Sequence, residues 1–150
     1  MSTRFDYGWD DEGGIPAALW EHNLRRALTS KRGLATLRDL EAALLALPEK
    51  KLIAGDMAYP SGAVCAVGAY SLYKRLQRGE DREAALLSLC SREGPYETAL
   101  EGQRYGMAYT LAWEIAERND EIYGGAYTEE GRYQEMLAWV RRQLAAAEAS

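Results

Sequence analysis

A basic turn around residue 30 has the residue types of an anion-binding site. Thr29, Ser30, Lys31, Arg32 and Gly33 follow one another and lead into a helical apolar pattern. A helix start presents free backbone N–H groups and a partial positive charge. The two hydroxyls and two cations would complete a cradle for an anion, and the glycine would let the backbone approach it closely.

The positive charge of this turn extends to both sides. Residues 25–38 contain five bases and no acid, and arginine forks match phosphates and carboxylates. The candidate ligand-binding residues of this region are Arg25, Arg26, Ser30, Lys31, Arg32 and Gly33. An exposed turn between two helices, charged only for solubility, is the alternative interpretation.

Two segments place aromatic rings beside glycines and acids: YGWDDEGG at residues 7–14 and YGGAY at residues 123–127. The rings of Trp9, Tyr123 and Tyr127 are suited to stacking on a nucleobase while arginines neutralise its phosphates. Alternatively, burial of the same rings docks both segments onto the core. The pattern leaves both interpretations open. We therefore include these three aromatic residues among the candidate ligand-binding residues.

Carboxylates are plentiful in the same two regions. Asp10, Asp11, Asp120 and Glu121 offer the oxygen ligands that Mg²⁺ and Ca²⁺ prefer. If they converge around an ion, the chain is a small divalent-metal-dependent hydrolase. The spacing of an EF-hand and the phosphate loops GxxxxGKS and GxGxxG do not occur. Because acid runs at loop tips are mostly solvated, we predict no metal and no cofactor.

Conventional nucleophilic catalysis has little support, because the chain has one histidine, His22. A Ser-His-Asp or Cys-His arrangement needs a histidine beside its nucleophile, and no GxSxG motif accompanies this one. A zinc site of the Cys/His type lacks enough ligands. We therefore predict a protein without catalytic residues.

Composition restricts the class of protein further. The 150 residues suit one domain, and 47% are apolar and 27% charged. A net charge of −5 argues against a protein that wraps duplex nucleic acid. No apolar run approaches the ~20 residues that span a bilayer, and no apolar leader segment is seen. Cys65 and Cys90 fit no CxxC pattern, which favours reduced thiols in a cytoplasmic protein.

Helical periodicity dominates the elements that must position these residues. Pro16 suits the first turn of a helix that precedes the basic turn. Thr128 is expected to cap the last helix. Between them, helices are predicted at residues 33–47, 67–77, 81–91 and 95–118, the last interrupted at Gly102 or Gly106.

Residues 51–67 differ from the rest of the chain. KLIAGDMAY and AVCAV have the pattern of two short strands, and PSG between them supplies turn chemistry. The predicted fold is mainly α: a single-domain bundle of about five or six helices with one small β-hairpin. Residues 1–14 form an acidic-aromatic N-terminal arm.

Six short motifs are spread over most of the chain: acidic and aromatic residues at 7–11, KRG at 31–33, LPEKKLI at 47–53, VCAVG at 64–68, NDE at 119–121 and WV at 139–140. The type and order of these motifs resemble those of a family of small uncharacterised proteins of tailed bacteriophages and prophages. Residues 76–102 lie outside the resemblance. It implies a viral origin and the host bacterial cytoplasm, and it transfers no activity or catalytic residue.

The resemblance and the lack of a catalytic motif lead to one expected function. The chain would be a phage or prophage accessory protein and a non-catalytic binding module that antagonises a bacterial defence system. It would sequester a nucleotide signal or block a host protein, and we expect a homo-oligomer without membrane or duplex nucleic-acid partners. A small divalent-metal-dependent hydrolase and a structural or regulatory phage assembly protein are the alternatives.

Overall fold

A computed structural model describes residues 16–120 and 128–149, which contain seven α-helices. They are α1 (Ala17–Thr29), α2 (Lys31–Ala46), α3 (Ala66–Gln77), α4 (Arg82–Cys90), α5 (Gly94–Arg104), α6 (Tyr109–Asp120) and α7 (Glu129–Ala149). The mainly helical class predicted from the sequence is confirmed. Every helix in these two ranges is too short or too polar to cross a bilayer.

Two helices organise the core. Helix α2 contacts α1, α3 and α7, and helix α6 contacts α1, α3, α5 and α7. Leu37, Leu40 and Leu44 of α2 are fully buried, as expected for apolar residues at i, i+3 and i+7 spacing. Leu111 and Ile115 of α6 belong to the same buried cluster. One core therefore joins residues from most of the described chain.

The junction of α1 and α2 consists of one residue, Ser30. Its backbone is extended, and its hydroxyl accepts a hydrogen bond from the Gly33 N–H at 3.0 Å. This N-cap starts α2 directly after α1 ends. The two helices approach so closely here that a Cβ on Gly33 would lie 1.4 Å from the Ala27 carbonyl oxygen. Helix packing therefore explains the glycine of the KRG motif.

The predicted β-hairpin is wrong, because the described residues contain no strand and this region keeps only a turn. A single antiparallel bridge joins Ala58 and Val64. Pairing cannot continue, since Cys65 already caps α3. Leu52 and Ile53, which read as strand residues, are buried against the helical core. Their apolar character therefore reflects burial of an irregular connection.

The helix count is seven in the described ranges, more than the five or six predicted, because the stretch predicted at residues 95–118 is two helices. Helix α5 ends at Arg104, and α6 begins at Tyr109. Gly106 between them has a φ of +111°, a conformation that residues with a side chain disfavour. The glycine permits the change of direction, so the expected interruption falls at Gly106.

Two further motifs of the resemblance have structural roles. Lys50 of LPEKKLI donates from Nζ to the Leu47 carbonyl at 2.8 Å, just past the end of α2. Asn119 of NDE is buried; its amide nitrogen donates to the Ile53 carbonyl and its oxygen accepts from the Ala66 N–H, both at 2.9 Å. The Asn119 side chain therefore ties the irregular connection and the start of α3 to α6.

Burial raises the pKa of the Cys65 thiol to about 12 from an ordinary value of 9.0. The neutral thiol therefore stabilises the fold fully below pH 9, and this contribution is lost as the pH rises from 9 towards 12. Between about pH 8 and about pH 10.5, we expect the wild type to lose ~2 kcal/mol more stability than Cys65→Ser, measured by urea unfolding. Cys90→Ser is the control, and equal losses in the wild type and Cys65→Ser would contradict the expectation.

Candidate anion-binding groove

An open groove lies where the junction of α1 and α2 meets the start of α6. Its volume is about 240 Å³. Three parts of the chain contribute to its lining, which consists of Asn23, Arg26, Ala27, Ser30, Arg32, Gly33, Ala108 and Thr110. The groove therefore combines part of the basic turn predicted from the sequence with residues that are distant in the chain.

Arg26 and Arg32 are the cations of the groove. Arg26 lies in the last turn of α1 and Arg32 in the first turn of α2, so the single-residue junction brings both to one edge. Both residues are exposed, and neither forms an ion pair with an acid of residues 16–120 or 128–149. Arg32 Nε donates to the Gly106 carbonyl at 3.1 Å, which holds this guanidinium at the groove edge.

The starts of α2 and α6 add to the positive potential. The first N–H groups of a helix carry partial positive charge, and neither helix has an acid in its first turn. The Gly33 N–H is already used, because it donates to Ser30 Oγ. The carbonyl end of α1 opposes this field, so the two arginines supply most of the attraction for an anion.

The structure separates the residues predicted from the basic turn into two sets. Arg26, Arg32, Ser30 and Gly33 line the groove, whereas Arg25 and Lys31 are exposed and are not part of its lining. Ser30 and Gly33 also have clear roles in the fold, as the cap of α2 and as its contact with α1. The arginines are therefore the members of the lining whose side chains are free to meet a ligand.

The aromatic and acidic candidates largely fall outside the described residues. Trp9, Tyr123 and Tyr127 lie there, as do Asp10, Asp11 and Glu121. Asp120 is described, and its Oδ1 accepts hydrogen bonds from the Gly55 N–H at 3.1 Å and from Asn119 Nδ2 at 3.0 Å. Within the described ranges, no three His, Cys, Asp or Glu residues come together as a metal site requires.

Three lining residues were not predicted from the sequence: Asn23, Ala108 and Thr110. Asn23 follows His22, which is exposed on α1. Ala108 and Thr110 belong to the start of α6, and no local pattern connects that segment with the basic turn. The one sequence feature that could have indicated these residues is Gly106. The helix is interrupted there, and α6 therefore starts close to Arg32.

A second set of charged side chains is buried away from solvent. Glu101 is 0% exposed, and its Oε2 accepts from Arg75 Nη2 at 2.8 Å, from Arg75 Nε at 3.0 Å and from the Ser71 hydroxyl. Its Oε1 lies 3.2 Å from Arg92 Nε. The sequence did not indicate this cluster. Since Glu101 does not meet solvent, the cluster stabilises the packing of α3 against α5 and is not a binding surface.

Searches against protein-family models, curated proteins and solved structures found no match to this chain.

Proposed function

We propose that this chain is a non-catalytic binding protein that holds a nucleotide-type anion in the groove between the α1–α2 junction and α6. One observation carries the proposal: Arg26 and Arg32 line a single groove at two helix starts, and neither is neutralised by a described acid. A guanidinium without a carboxylate partner is well suited to a phosphate, which it can bind through two parallel hydrogen bonds.

The resemblance to proteins of tailed phages extends the proposal to a biological role. A phage accessory protein that binds a nucleotide without converting it would sequester a signal of a bacterial defence system in the host cytoplasm. This step rests on analogy and on the absence of a catalytic motif in the sequence. Blocking of a host protein, metal-dependent hydrolysis and a role in phage assembly remain alternatives that no described contact favours.

Calorimetric titration of the full chain tests the groove. We expect heat of binding with at least one of AMP, cyclic AMP and ADP-ribose, and we expect Arg26→Gln to weaken that binding by about 10-fold or more. The reason is that a hydrogen bond to a charged group contributes ~1.5–3 kcal/mol. Arg26 is exposed and its substitution leaves the α1 backbone unchanged, so circular dichroism should show a wild-type helix content.

Arg142→Gln is the matched control, because Arg142 is an exposed arginine on α7 that is not part of the groove lining. It should bind as the wild type does. The proposal fails if none of the nucleotides gives heat, or if Arg26→Gln binds as tightly as Arg142→Gln. Chromatography of the mixture after titration should recover the nucleotide intact, and appearance of a product would show that the protein is an enzyme.

A further inference from the structure

The groove is too small to enclose a whole nucleotide. Its volume is about 240 Å³, whereas sites that enclose small organic ligands usually have ~300 Å³ or more. One phosphate with part of its sugar fits this space. The remainder of a bound nucleotide must therefore lie on the surface next to the groove.

Gly106 lies outside the groove lining but contacts Arg32, which belongs to it. Its carbonyl accepts the Arg32 Nε hydrogen bond at 3.1 Å, and the residue is exposed. Because it has no side chain and a φ of +111°, the surface at this point is bare backbone. A ligand that leaves the groove on this side would pass the Arg32 side chain and then Gly106.

A further arginine contacts the residue before Gly106. Tyr105 directly precedes Gly106, and the guanidinium carbon of Arg78 lies 4.6 Å from the centre of the Tyr105 ring. Arg78 is exposed and forms no ion pair with an acid of residues 16–120 or 128–149. Stacking on the ring holds this cation in position while its outward N–H groups stay free for a ligand.

Two acids near this surface are each paired with a cation. Asp39 binds Lys74 at 2.9 Å, and Glu80 binds Arg75 at 3.0 Å. Arg75 also binds Glu101, so Glu80 is only partly compensated, but the cations of the groove together with Arg78 still outnumber these acids. The surface from the groove to Arg78 therefore carries excess positive charge, although the whole chain has a net charge of −5.

Tyr70 is buried next to Tyr105 and Gly106. Its hydroxyl donates to the Tyr105 carbonyl at 2.7 Å and would lie 3.4 Å from a Cβ on Gly106. Burial, with a smaller effect of Asp39, raises the pKa of Tyr70 to about 12, and the charges of Arg32 and Arg78 both act against this rise. Both arginines therefore lie close enough to act on this one hydroxyl, although Asp39 acts on it more strongly than either.

We propose that the ligand has two separate phosphate groups, one in the groove at Arg26 and Arg32 and the other beside Arg78, with the connecting sugar passing over Gly106. The ligand class is a nucleotide with phosphates on both sides of one sugar, as in a linear dinucleotide, rather than a nucleoside monophosphate. This inference rests on the function proposed above, and it adds Arg78 as a residue that determines specificity.

Comparison of AMP with the linear dinucleotide pApA tests this inference on the full chain by calorimetric titration. We expect the wild type to bind pApA at least about 10-fold more tightly than AMP, because the second phosphate gains a charge-assisted contact. Arg78→Gln should reduce the ratio of the two affinities to near 1. Arg78→Lys keeps the charge and should retain part of the preference, and Arg142→Gln should retain all of it.

The outcomes separate this inference from the function on which it rests. If the wild type binds AMP and pApA equally, or if Arg78→Gln keeps the full preference, the second phosphate position is wrong and the groove remains. If Arg26→Gln weakens neither nucleotide, the groove itself is wrong. If the wild type binds neither nucleotide, this inference is wrong, and the proposed function is wrong too unless cyclic AMP or ADP-ribose gives heat of binding. Loss of helical circular dichroism in Arg78→Gln would assign Arg78 to the fold and also overturn the inference.

Discussion

Gly33→Ala should destabilise the protein by more than ~4 kcal/mol, an unusually large effect for the addition of one methyl group. A Cβ at this position would lie 1.4 Å from the Ala27 carbonyl oxygen, and a backbone atom cannot rotate away as the end of a side chain can. The helices α1 and α2 would have to separate, which disrupts the buried contacts of both. Guanidinium unfolding followed by circular dichroism measures the loss.

The same variant distinguishes the two explanations of the KRG glycine. Ala35→Ser, an equally small change at an exposed position of α2, is the control and should cost less than ~0.5 kcal/mol. If Gly33→Ala has wild-type stability and loses only nucleotide binding, the glycine serves the ligand, as the sequence alone suggested. Loss of stability shows that the glycine serves the packing of the two helices.

Glu101→Leu should cost ~3–5 kcal/mol, because it leaves the buried guanidinium of Arg75 without its main partner. Arg75 is only 6% exposed, and two of its nitrogens donate to Glu101. The double variant Glu101→Leu with Arg75→Met should recover much of this loss, since neither charge then remains buried alone. Urea unfolding of the wild type, the two single variants and the double variant gives the coupling free energy.

An exposed ion pair supplies the control for this cycle. Arg141 Nε lies 2.9 Å from Glu41 Oε2, and the Arg141 side chain is 54% exposed. Glu41→Gln should therefore cost less than ~1 kcal/mol, because solvent screens such pairs. A Glu101→Leu variant no less stable than Glu41→Gln would refute the expected role of the buried cluster.

Local chemistry explains what the sequence predicted well. Thr128 caps α7 as expected, because its hydroxyl accepts from the Gly131 N–H three residues later at 2.9 Å. The sequence predicted a helix break at Gly102 or Gly106, and the break occurs at Gly106. Predictions of this kind succeed because both partners lie within one helical turn, or because one residue restricts its own backbone.

The hairpin prediction was wrong because the contacts that decide this region are not visible in its local sequence. An apolar stretch such as AVCAV is compatible with a strand, a buried helix or an irregular segment. Two contacts favour the irregular segment over a strand: Cys65 caps α3, and the Asn119 side chain on α6 donates to the Ile53 carbonyl. Asn119 is distant in the chain, so no local pattern could reveal its bond.

The amino-acid sequence by itself determined the helical class, the cap of the last helix and the concentration of positive charge around residue 30, since each depends on neighbours in the chain. Only the tertiary structure decided which of these cations share a groove. It placed Arg26 and Arg32 beside the start of α6 and left Arg25 and Lys31 outside the lining. The physical reason is that a groove requires surfaces from separate helices, and their approach is set by burial of the common core.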